Sequence, residues 1–428
     1  MSAGTEVRVH RALGKIHTLG GVVVKIRKRR GVYLYDVRYF EGASKVARSV
    51  EKRVAPDRIV VVDEEDIAGS DSGAGSDNPR NDSRMWLQRM CDGSIPVPFD
   101  GLELDAFITH NPCGQSYVMR GSFAGNNPLL GRQRQPVAAK VFLDGREYQR
   151  ELTVMRRLQS DANLGGGHRN VVATIHEFQH PCAVLLFELG SMSLKDAFDL
   201  DVTTGVMQER RRMVASYGLD AARGMAFLHE SGIAHLDLKP DNVMIFGKGG
   251  GRGDDHAKII DLGLAEAHAA GRDDAEVLVQ GTVPYMSPEV HRARRQPVRT
   301  DLFKVDAWAM GCVLWATAAG LDPWREMVPD DDGGGVPDDE RKAAYQLRVG
   351  DAVVGGATPP VDIPDVPSEL RPLLASAFQM EAAARPSMGA FVEFLSAFAA
   401  AAGSRDGGGG GGGGEAGGGE GLSAPLLG

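Results

Sequence analysis

Residues 235–242, with the sequence HLDLKPDN, bring several reactive residue types into one short segment. Asp237 offers a carboxylate that can accept a proton, and Lys239 offers a positive charge two residues later. Asn242 adds an amide oxygen, and Asp261 follows nineteen residues further on in the sequence DLG. Carboxylate and amide oxygens are ligands that Mg²⁺ accepts in proteins. The segment therefore combines proton-accepting, anion-binding and metal-binding residue types.

Further charged residues lie upstream at a defined spacing. Lys140 ends the apolar run VAAK, and Glu151 follows eleven residues later in the amphipathic run REYQRELTVMRRL. Downstream, GT occupies residues 281–282 and SPE occupies residues 287–289. Each motif has an ordinary explanation when taken alone, since a lysine at a strand end is usually solvated and Asp-Leu-Gly is usually a turn. Because the matches are independent, their ordered combination is far more specific than any one of them.

The ordered series VAAK, Glu151, HLDLKPDN, DLG and SPE resembles the protein kinases over about 300 residues. The resemblance implies an α+β, bilobal fold with a β-rich N-lobe and a helical C-lobe. It also implies ATP and Mg²⁺ as cofactors and a protein as the substrate, whose hydroxyl groups receive the γ-phosphate. The segment LKPDN is similar to that of serine/threonine kinases, because tyrosine kinases usually carry other residues at the position of Lys239.

The resemblance also assigns roles to individual residues. Lys140 would hold the α- and β-phosphates and pair with Glu151. Asp237 would accept the proton of the substrate hydroxyl, and Lys239 would approach the γ-phosphate. The metal ligands implied are Asn242 and Asp261.

An adenine pocket follows from the same matching. Val118 and Ala138 would form its roof, and Met244 would form its floor. Glu188 and Leu189 would form the hinge, whose backbone meets adenine. The nucleotide-binding residues expected in total are Val118, Ala138, Lys140, Glu188, Leu189, Asn242, Met244 and Asp261.

Three architectural expectations come with the resemblance. Phe187 is expected at the gatekeeper position before the hinge. Glu289 and Arg385 resemble a buried ion pair that anchors the activation segment, and Asp306 resembles an aspartate that caps the catalytic loop. PFDGLELDAF, at residues 98–107, is similar to sequences of the tyrosine-kinase-like group.

The sequence departs from the kinase pattern in the glycine-rich loop. The aligned residues 111–118 read NPCGQSYV, so all three loop glycines are replaced. Glycine allows backbone amides to approach phosphates closely, because no Cβ intrudes. Two functions therefore stay open: an active serine/threonine kinase, favoured by the complete set of catalytic residues, and a pseudokinase scaffold with weakened nucleotide binding.

A second departure concerns regulation. Leu236 replaces the arginine that usually binds a phosphate on the activation loop. No Ser or Thr lies between Asp261 and Thr282, whereas residues 272–276 read RDDAE. We therefore expect activity that does not depend on phosphorylation of this loop. The acidic run could order the loop, although a solvated charge run is the more common explanation.

The first 63 residues read as a separate, small all-β module. Short β-rich runs are separated by glycine turns, and the run YDVRYFEG resembles SH3-type barrels of the Tudor or Agenet kind. Its net charge is +8, against −9 for the whole chain. Tyr33, Tyr35 and Tyr39 would share one face and could bind a methylated ligand, while the basic charge favours an acidic one. Alternatively, these tyrosines are simply residues that strands favour.

Polar glycine-rich insertions at residues 247–256 and 329–340 are predicted to be surface loops. The domain organisation predicted from the sequence as a whole has four parts. The parts are a barrel at 1–63, an acidic Ser/Gly linker at 64–84, a kinase domain at 85–402 and a disordered Gly-rich tail at 403–428.

Composition narrows the remaining classes of protein. The chain has 428 residues and four cysteines without a CxxC pair, so we expect neither a disulfide framework nor a structural zinc site. The longest apolar runs, near Met310–Leu321 and Phe391–Ala402, span about a dozen residues and suit buried helices. No secretory signal is recognisable at the N-terminus. We expect a cytoplasmic or nuclear protein that binds neither a membrane nor nucleic acid.

Overall fold

A computed structural model describes two parts of the chain. The first comprises five strands between residues 6 and 61. The second comprises residues 87, 90–91, 97–110, 116–124, 134–160, 167–179, 182–201, 207–247, 255–267, 275–327 and 338–406. Several predicted segments lie outside the described residues: the linker 64–84, loop residues 111–115, insertion residues 248–254 and 329–337, acidic residues 272–274 and the tail beyond 406.

The N-terminal strands pair in one antiparallel sheet of order β4-β3-β2-β1-β5. This pairing agrees with the β-rich runs in the sequence, whereas closure into a barrel stays a prediction. The strands are β1 Glu6–His10, β2 Thr18–Arg29, β3 Val32–Phe40, β4 Ala47–Val54 and β5 Ile59–Val61.

A second antiparallel sheet, of order β6-β7-β8-β10-β9, forms the first lobe of the kinase-like region. Met119 and Leu186 are fully buried in one cluster with Leu87 and Phe99, so residues ahead of the sheet pack against it. The strands are β6 Leu102–His110, β7 Ser116–Phe123, β8 Gln135–Phe142, β9 Thr174–Phe178 and β10 Ala183–Glu188.

One long helix, α1 (Gly145–Ser160), packs on this sheet. Asp144 caps the start of the helix, because its Oδ1 accepts a 2.8 Å hydrogen bond from the N–H of Arg146. Tyr148 and Leu152 form a buried cluster with side chains of β8 and β10. The amphipathic pattern of the sequence therefore positions the face of α1 that carries Glu151 toward the sheet.

The second lobe is mainly helical, which confirms the predicted α+β, two-lobed fold. Its helices are α2 Leu194–Asp201, α3 Met207–Met213, α4 Leu219–Glu230, α5 Pro288–Ala293, α6 Leu302–Ala319, α7 Asp338–Val354, α8 Arg371–Ala377 and α9 Met388–Asp406. A π-helical turn, Val214–Gly218, joins α3 to α4. Its short strands are β11 Met192–Ser193, β12 Ile233–Ala234, β13 Val243–Phe246, β14 His256–Ile259, β15 Glu266–Ala267, β16 Ala275–Glu276 and β17 Arg299–Thr300.

Helix α6 forms the centre of the second lobe. Asp301 caps its start by accepting from the N–H of Phe303 at 2.9 Å, and Gly320 ends it with a φ of 67°. By length and composition this helix could cross a membrane, but 89% of it is buried inside the protein. The apolar segment is therefore a core helix, as expected, and it extends over 18 residues rather than about a dozen.

The buried ion pair expected between Glu289 and Arg385 is confirmed. Two guanidinium nitrogens of Arg385 donate to the two carboxylate oxygens of Glu289 at 2.6 and 2.8 Å. Arg385 also donates to the backbone oxygens of Gln379 and Lys304, at 2.8 and 2.7 Å. These four bonds satisfy a guanidinium group that is fully buried, and they attach α5 to the base of the lobe.

Three predicted boundaries differ from the structure. Helix α7 already begins at Asp338, inside the predicted loop 329–340, because its DDER start places acidic residues in a helical first turn. Strand β14 begins at His256, the last residue of the predicted loop 247–256. Helix α9 continues to Asp406, four residues beyond the predicted end of the domain, after a run of alanines that favours helix.

Candidate active site

Asp306 of α6 holds the loop that carries the predicted base. Its buried carboxylate accepts hydrogen bonds from the N–H groups of His235 and Leu236, each at 2.8 Å. Leu236 has a φ of 65°, a left-handed conformation that residues with a Cβ rarely adopt. One bond is donated by the residue before Leu236 and the other by Leu236 itself. Together they stabilise the strained turn before Asp237. The prediction that Asp306 caps this loop is confirmed.

Asp237 lies in a closed set of hydrogen bonds. Its Oδ1 accepts from the hydroxyl of Thr282 at 2.8 Å, and its Oδ2 accepts from Nζ of Lys239 at 3.0 Å. Lys239 also donates to the Thr282 hydroxyl at 2.8 Å, so the three side chains form a triangle. The amide nitrogen of Asn242 donates to the backbone oxygen of Asp237 at 2.8 Å. The orientation of the Asp237 carboxylate is therefore fixed from several sides.

A second cluster forms around Lys140 at the end of β8. Nζ of Lys140 lies 2.7 Å from Oε2 of Glu151 and 2.7 Å from Oδ1 of Asp261. The Glu151 side chain is 2% exposed, whereas the Asp261 side chain is 46% exposed. Asp261 has a φ of 59°, so it too occupies the left-handed region. One ammonium group thus joins the first-lobe sheet, helix α1 and the DLG segment.

The electrostatics of this cluster favour a charged lysine. Burial alone would lower the pKa of Lys140, but the carboxylates of Glu151 and Asp261 outweigh burial and raise it. Burial alone would raise the pKa of Asp261, yet the charge and hydrogen bond of Lys140 bring it below its ordinary value. Burial raises the pKa of Glu151, although Lys140 opposes this. Lys140 and Asp261 are therefore both ionised at neutral pH.

Two glycines allow these segments to approach one another. Gly281 has a φ of 100°, and a Cβ there would lie 2.8 Å from the backbone oxygen of Leu236. Gly263 lies against the second cluster, where a Cβ would be 3.3 Å from Asp261 Oδ1 and 3.4 Å from Glu151 Oε2. Larger residues at these positions would displace the groups that the two clusters bring together.

The residues predicted to contact adenine lie around the connection between the lobes. Ala138 of β8 pairs with Phe187 of β10 in the sheet, directly before Glu188. Met244 lies on β13, and a Cβ at Gly190 would be 2.1 Å from its Cγ. A side chain at position 190 would therefore displace that of Met244, so the residue after the predicted hinge lies against the predicted floor.

Val118, the other predicted roof residue, lies on β7 opposite Lys140 of β8. It is half-buried, as are Ala138, Leu189 and Met244. Partial exposure at these positions is compatible with a shared apolar cleft that is open to a ligand.

A lysine binds the side chain of Glu188, one of the two predicted hinge residues. Nζ of Lys258 on β14 donates to both carboxylate oxygens of Glu188, at 2.6 and 2.7 Å. The same ammonium lies 5.0 Å from the centre of the Phe246 ring. The side chain of Glu188 is thus held by an ion pair, in addition to the backbone role that the resemblance implies.

The segment between Asp261 and Glu289 is attached to the lobe at two places. Strand β15 pairs with β12 next to the catalytic loop, and β16 pairs with β17 just before α6. Leu236 lines a small, mainly apolar pocket together with Val277, Leu302 and Val305. At the position where the kinase pattern has arginine, this chain therefore places an apolar side chain among mostly apolar neighbours, with Glu266, Glu276 and Gln280 also in the lining.

The structure brings the predicted catalytic and metal-ligating residues into these two clusters. Sequence reasoning missed two participants, Thr282 and Lys258. The Gly281–Thr282 pair is recognisable as a motif, but nothing in the sequence indicates the contact of Thr282 with Asp237, 45 residues away. Lys258 carries no such signal in the sequence, because a lysine within a short strand is usually solvated.

The residues present fit a divalent cation. Asn242 uses its amide nitrogen toward Asp237, which leaves its oxygen as the atom suited to a metal. Asp261 binds Lys140 through Oδ1, and nearly half of its side chain remains exposed. Two hard oxygen donors are thus available beside a lysine that can bind phosphate.

Comparisons with known proteins agree with this arrangement. Residues 120–394 match the family described as the protein kinase domain. Human serine/threonine-protein kinase H1 is 31% identical over 220 residues, which are 50% of this chain and 47% of that protein. Serine/threonine-protein kinase chk1 of Schizosaccharomyces pombe is 29% identical over 181 residues, covering 40% of this chain and 33% of the relative.

A plant relative matches a shorter part. Mitogen-activated protein kinase kinase kinase 17 of Arabidopsis thaliana is 35% identical over 121 residues, which are 28% of each chain. The chain thus spans about half the length of the human relative and less of the other two. The family match covers more than half of the chain and includes the two clusters described above. This chain belongs to the protein kinase domain family.

Proposed function

We propose that this protein is an ATP-dependent serine/threonine protein kinase. The observation that carries the proposal is the assembly of two clusters, one around Lys140 and one around Asp237. Phosphoryl transfer depends mainly on positioning the reacting groups and on neutralising the charge of the phosphates. The cluster around Asp237 orients a carboxylate, and the cluster around Lys140 supplies a positive charge. Two of the relatives named above, the human and the Schizosaccharomyces pombe proteins, carry serine/threonine-protein kinase in their names.

The proposed mechanism assigns one task to each side chain. Asp237 accepts the proton of the substrate hydroxyl, and its carboxylate is aimed by Thr282 and Lys239. Lys239 also supplies positive charge beside the base. Lys140, oriented by Glu151, binds the α- and β-phosphates of ATP.

The metal and the adenine ring would be held by the remaining predicted residues. Asn242 and Asp261 are the proposed ligands of Mg²⁺, which supplies charge neutralisation for the phosphates when bound. Val118 and Ala138 on one side and Met244 on the other would enclose adenine. Backbone groups of the hinge, residues 188–189, would bind its edge.

The pseudokinase alternative rests only on the replaced loop glycines at positions 111, 113 and 116, of which the first two lie outside the described part of the chain. The comparisons give this alternative no support. Serine/threonine rather than tyrosine specificity follows from Lys239, which bonds to Thr282 beside the base. We also propose membership of the tyrosine-kinase-like group, on the sequence of residues 98–107.

The experiment is a phosphotransfer assay with the full chain, γ-labelled ATP, Mg²⁺ and a mixture of protein substrates. We expect labelled phosphoserine and phosphothreonine after acid hydrolysis. Lys140→Met is the matched negative control, since it removes the charge that joins the two carboxylates. Absence of transfer above this control would refute the kinase assignment, and phosphotyrosine alone would refute the specificity.

For the N-terminal part we propose an SH3/Tudor-like barrel at 1–63 that binds a methylated or acidic ligand. The support is the antiparallel sheet β1–β5, the +8 charge and the tyrosines of β3. We further propose that the kinase domain, predicted at 85–402, follows a flexible linker (64–84), and that the disordered tail predicted at 403–428 begins only after α9 ends at Asp406. A cytoplasmic or nuclear location would suit such a protein.

Two measurements test this organisation. Deletion of residues 1–84 should leave phosphotransfer nearly unchanged, because Leu87 is the first described residue buried against the kinase sheet. Peptides carrying trimethyl-lysine, unmodified lysine or glutamates are then compared for binding to the full and the shortened chains. Equal binding by both chains would refute a ligand site in the barrel, and loss of phosphotransfer would refute independence.

A further inference from the structure

Ser116 takes the place of the third glycine in the loop pattern, and its side chain makes a specific contact. Only 2% of the residue is exposed. Its hydroxyl donates a 2.9 Å hydrogen bond to Oε1 of Glu147 in the first turn of α1. A glycine at this position has no side chain and could not make this bond.

The contact lies on the same face of α1 as the ion pair with Lys140. Glu147 precedes Glu151 by four residues, so both carboxylates extend from one side of the helix. Their partners lie on neighbouring strands, because Ser116 begins β7 and Lys140 lies on β8, two positions along the same ladder. Helix α1 is thus attached by adjacent turns to adjacent strands.

The other end of α1 has its own attachments. Arg156 lies 2.5 Å from Glu177 of β9, and the side chain of Gln159 donates to the backbone oxygen of Thr174 at 3.2 Å. The bond from Ser116 attaches the first turn, next to the turn that carries Glu151. A helix released there can pivot about its fixed end, and this movement would draw Glu151 away from Lys140.

We propose that Ser116 is a positioning residue whose bond to Glu147 holds α1 where Glu151 meets Lys140. The proposal rests on the proposed function only for the consequence, namely that the Lys140–Glu151 pair supports catalysis. In this chain, a residue that departs from the glycine-rich pattern would therefore contribute to an assembled active site.

The test uses the full chain and four variants: Ser116→Ala, Glu147→Met, the double variant and Thr153→Ala. Thr153 is the matched control, because it is an exposed residue of the same helix whose hydroxyl bonds within the helix to Gln149. Hydrogen exchange of the α1 amides is measured without nucleotide, together with the acylation rate of Lys140 by acetic anhydride. The Lys140 side chain is only 10% exposed beside Glu151, so a lysine released from this carboxylate becomes more accessible to the reagent and reacts faster.

We expect both single variants to accelerate α1 exchange and Lys140 acylation by roughly tenfold, as for loss of a hydrogen bond to a charged acceptor. The double variant should change no more than either single one, since all three lack the same bond. kcat/KM should fall by a similar factor, and Thr153→Ala should behave as wild type. Wild-type exchange in Ser116→Ala, or additive effects in the double variant, would overturn the proposal.

An error in the proposed function would give a different pattern of results from an error in the role of Ser116. If the wild-type chain transferred no phosphate, the kinase assignment would fall, while exchange and acylation would still decide whether Ser116 holds α1. If Ser116→Ala did not fold, Glu147→Met would provide the same comparison from the partially exposed side of the bond.

Discussion

The hydroxyl of Thr282 donates a 2.8 Å hydrogen bond to Oδ1 of Asp237 and accepts one of the same length from Lys239. A single hydroxyl therefore connects the proposed base, the cation beside it and the segment that follows DLG. Gly281 makes this possible, because its left-handed backbone passes within contact of the catalytic loop. Correct placement of the later segment is thus coupled to orientation of the base.

Thr282→Val should lower kcat by about 10- to 100-fold, since hydrogen bonds to charged groups contribute about 1.5–3 kcal/mol. Valine preserves the shape of threonine but lacks the hydroxyl. Thr282→Ser, which keeps the hydroxyl, should retain most of the activity. Steady-state kinetics at saturating ATP measures the effect, and equal kcat values for the valine and serine variants would contradict this role.

The catalytic constellation was predictable because its residue types are dictated by chemistry and occur in a fixed order. Lys140, Glu151, Asp237 and Asp261 needed no knowledge of packing to be recognised. Thr282 was not assigned a role, because a hydroxyl becomes part of a site only through tertiary contact. The sequence also carries no signal for the pairing of Ser116 with α1.

Element boundaries were less predictable for a related reason. Polar, glycine-rich runs predict loops, yet the end of such a run can still form the first turn of a helix, as Asp338 does in α7. The core helix α6 was recognised as apolar, but its full length depends on the cap at Asp301. Local composition locates an element, whereas caps and partners determine where it ends.

We expect loss of the ion pair between Lys258 and Glu188 to weaken the binding of ATP. Lys258→Met should raise the KM for ATP by up to about fivefold with little change in kcat, because it releases the proposed hinge and leaves both clusters intact. Methionine retains contact with Phe246. Lys342→Met, at an exposed lysine of α7, is the control. A fall in kcat at unchanged KM would argue against a role for this pair in the hinge.

We expect the buried His291 to make the free energy of unfolding depend on pH. It is 2% exposed in α5, and burial, together with the charge of Arg294, lowers its pKa to about 4. A histidine whose folded-state pKa is depressed contributes stability above its unfolded pKa of about 6.5, and the contribution is lost as pH falls toward 4. We expect the wild type to lose about 2 kcal/mol from this residue between pH 7 and pH 4.5.

Urea unfolding of wild type and His291→Gln at the two pH values measures this contribution. The glutamine variant cannot gain the proton, so its stability should fall less on acidification. Other groups titrate in both proteins, and their contribution cancels in the comparison. Parallel losses in the two proteins would show that His291 is not responsible.

Regulation by loop phosphorylation should be absent. Leu236 lines a mainly apolar pocket with Val277 and Leu302, and it cannot bind a phosphate as an arginine at this position would. Strands β15 and β16 already attach the segment to the lobe without modification. Phosphatase treatment followed by kinetic assay should leave kcat unchanged. A large loss, traced by mass spectrometry to residues 261–289, would refute the expectation.

In the proposed function, Asp237 serves as the base of a phosphotransfer reaction. The rate of a single turnover with bound ATP tests this role most directly. Asp237→Asn keeps the shape of the side chain but removes its capacity to accept the proton. We predict a rate at least about 100-fold below wild type, as is typical for loss of a general base, with a nearly unchanged Kd for ATP. Transfer by Asp237→Asn at the wild-type rate would contradict the account.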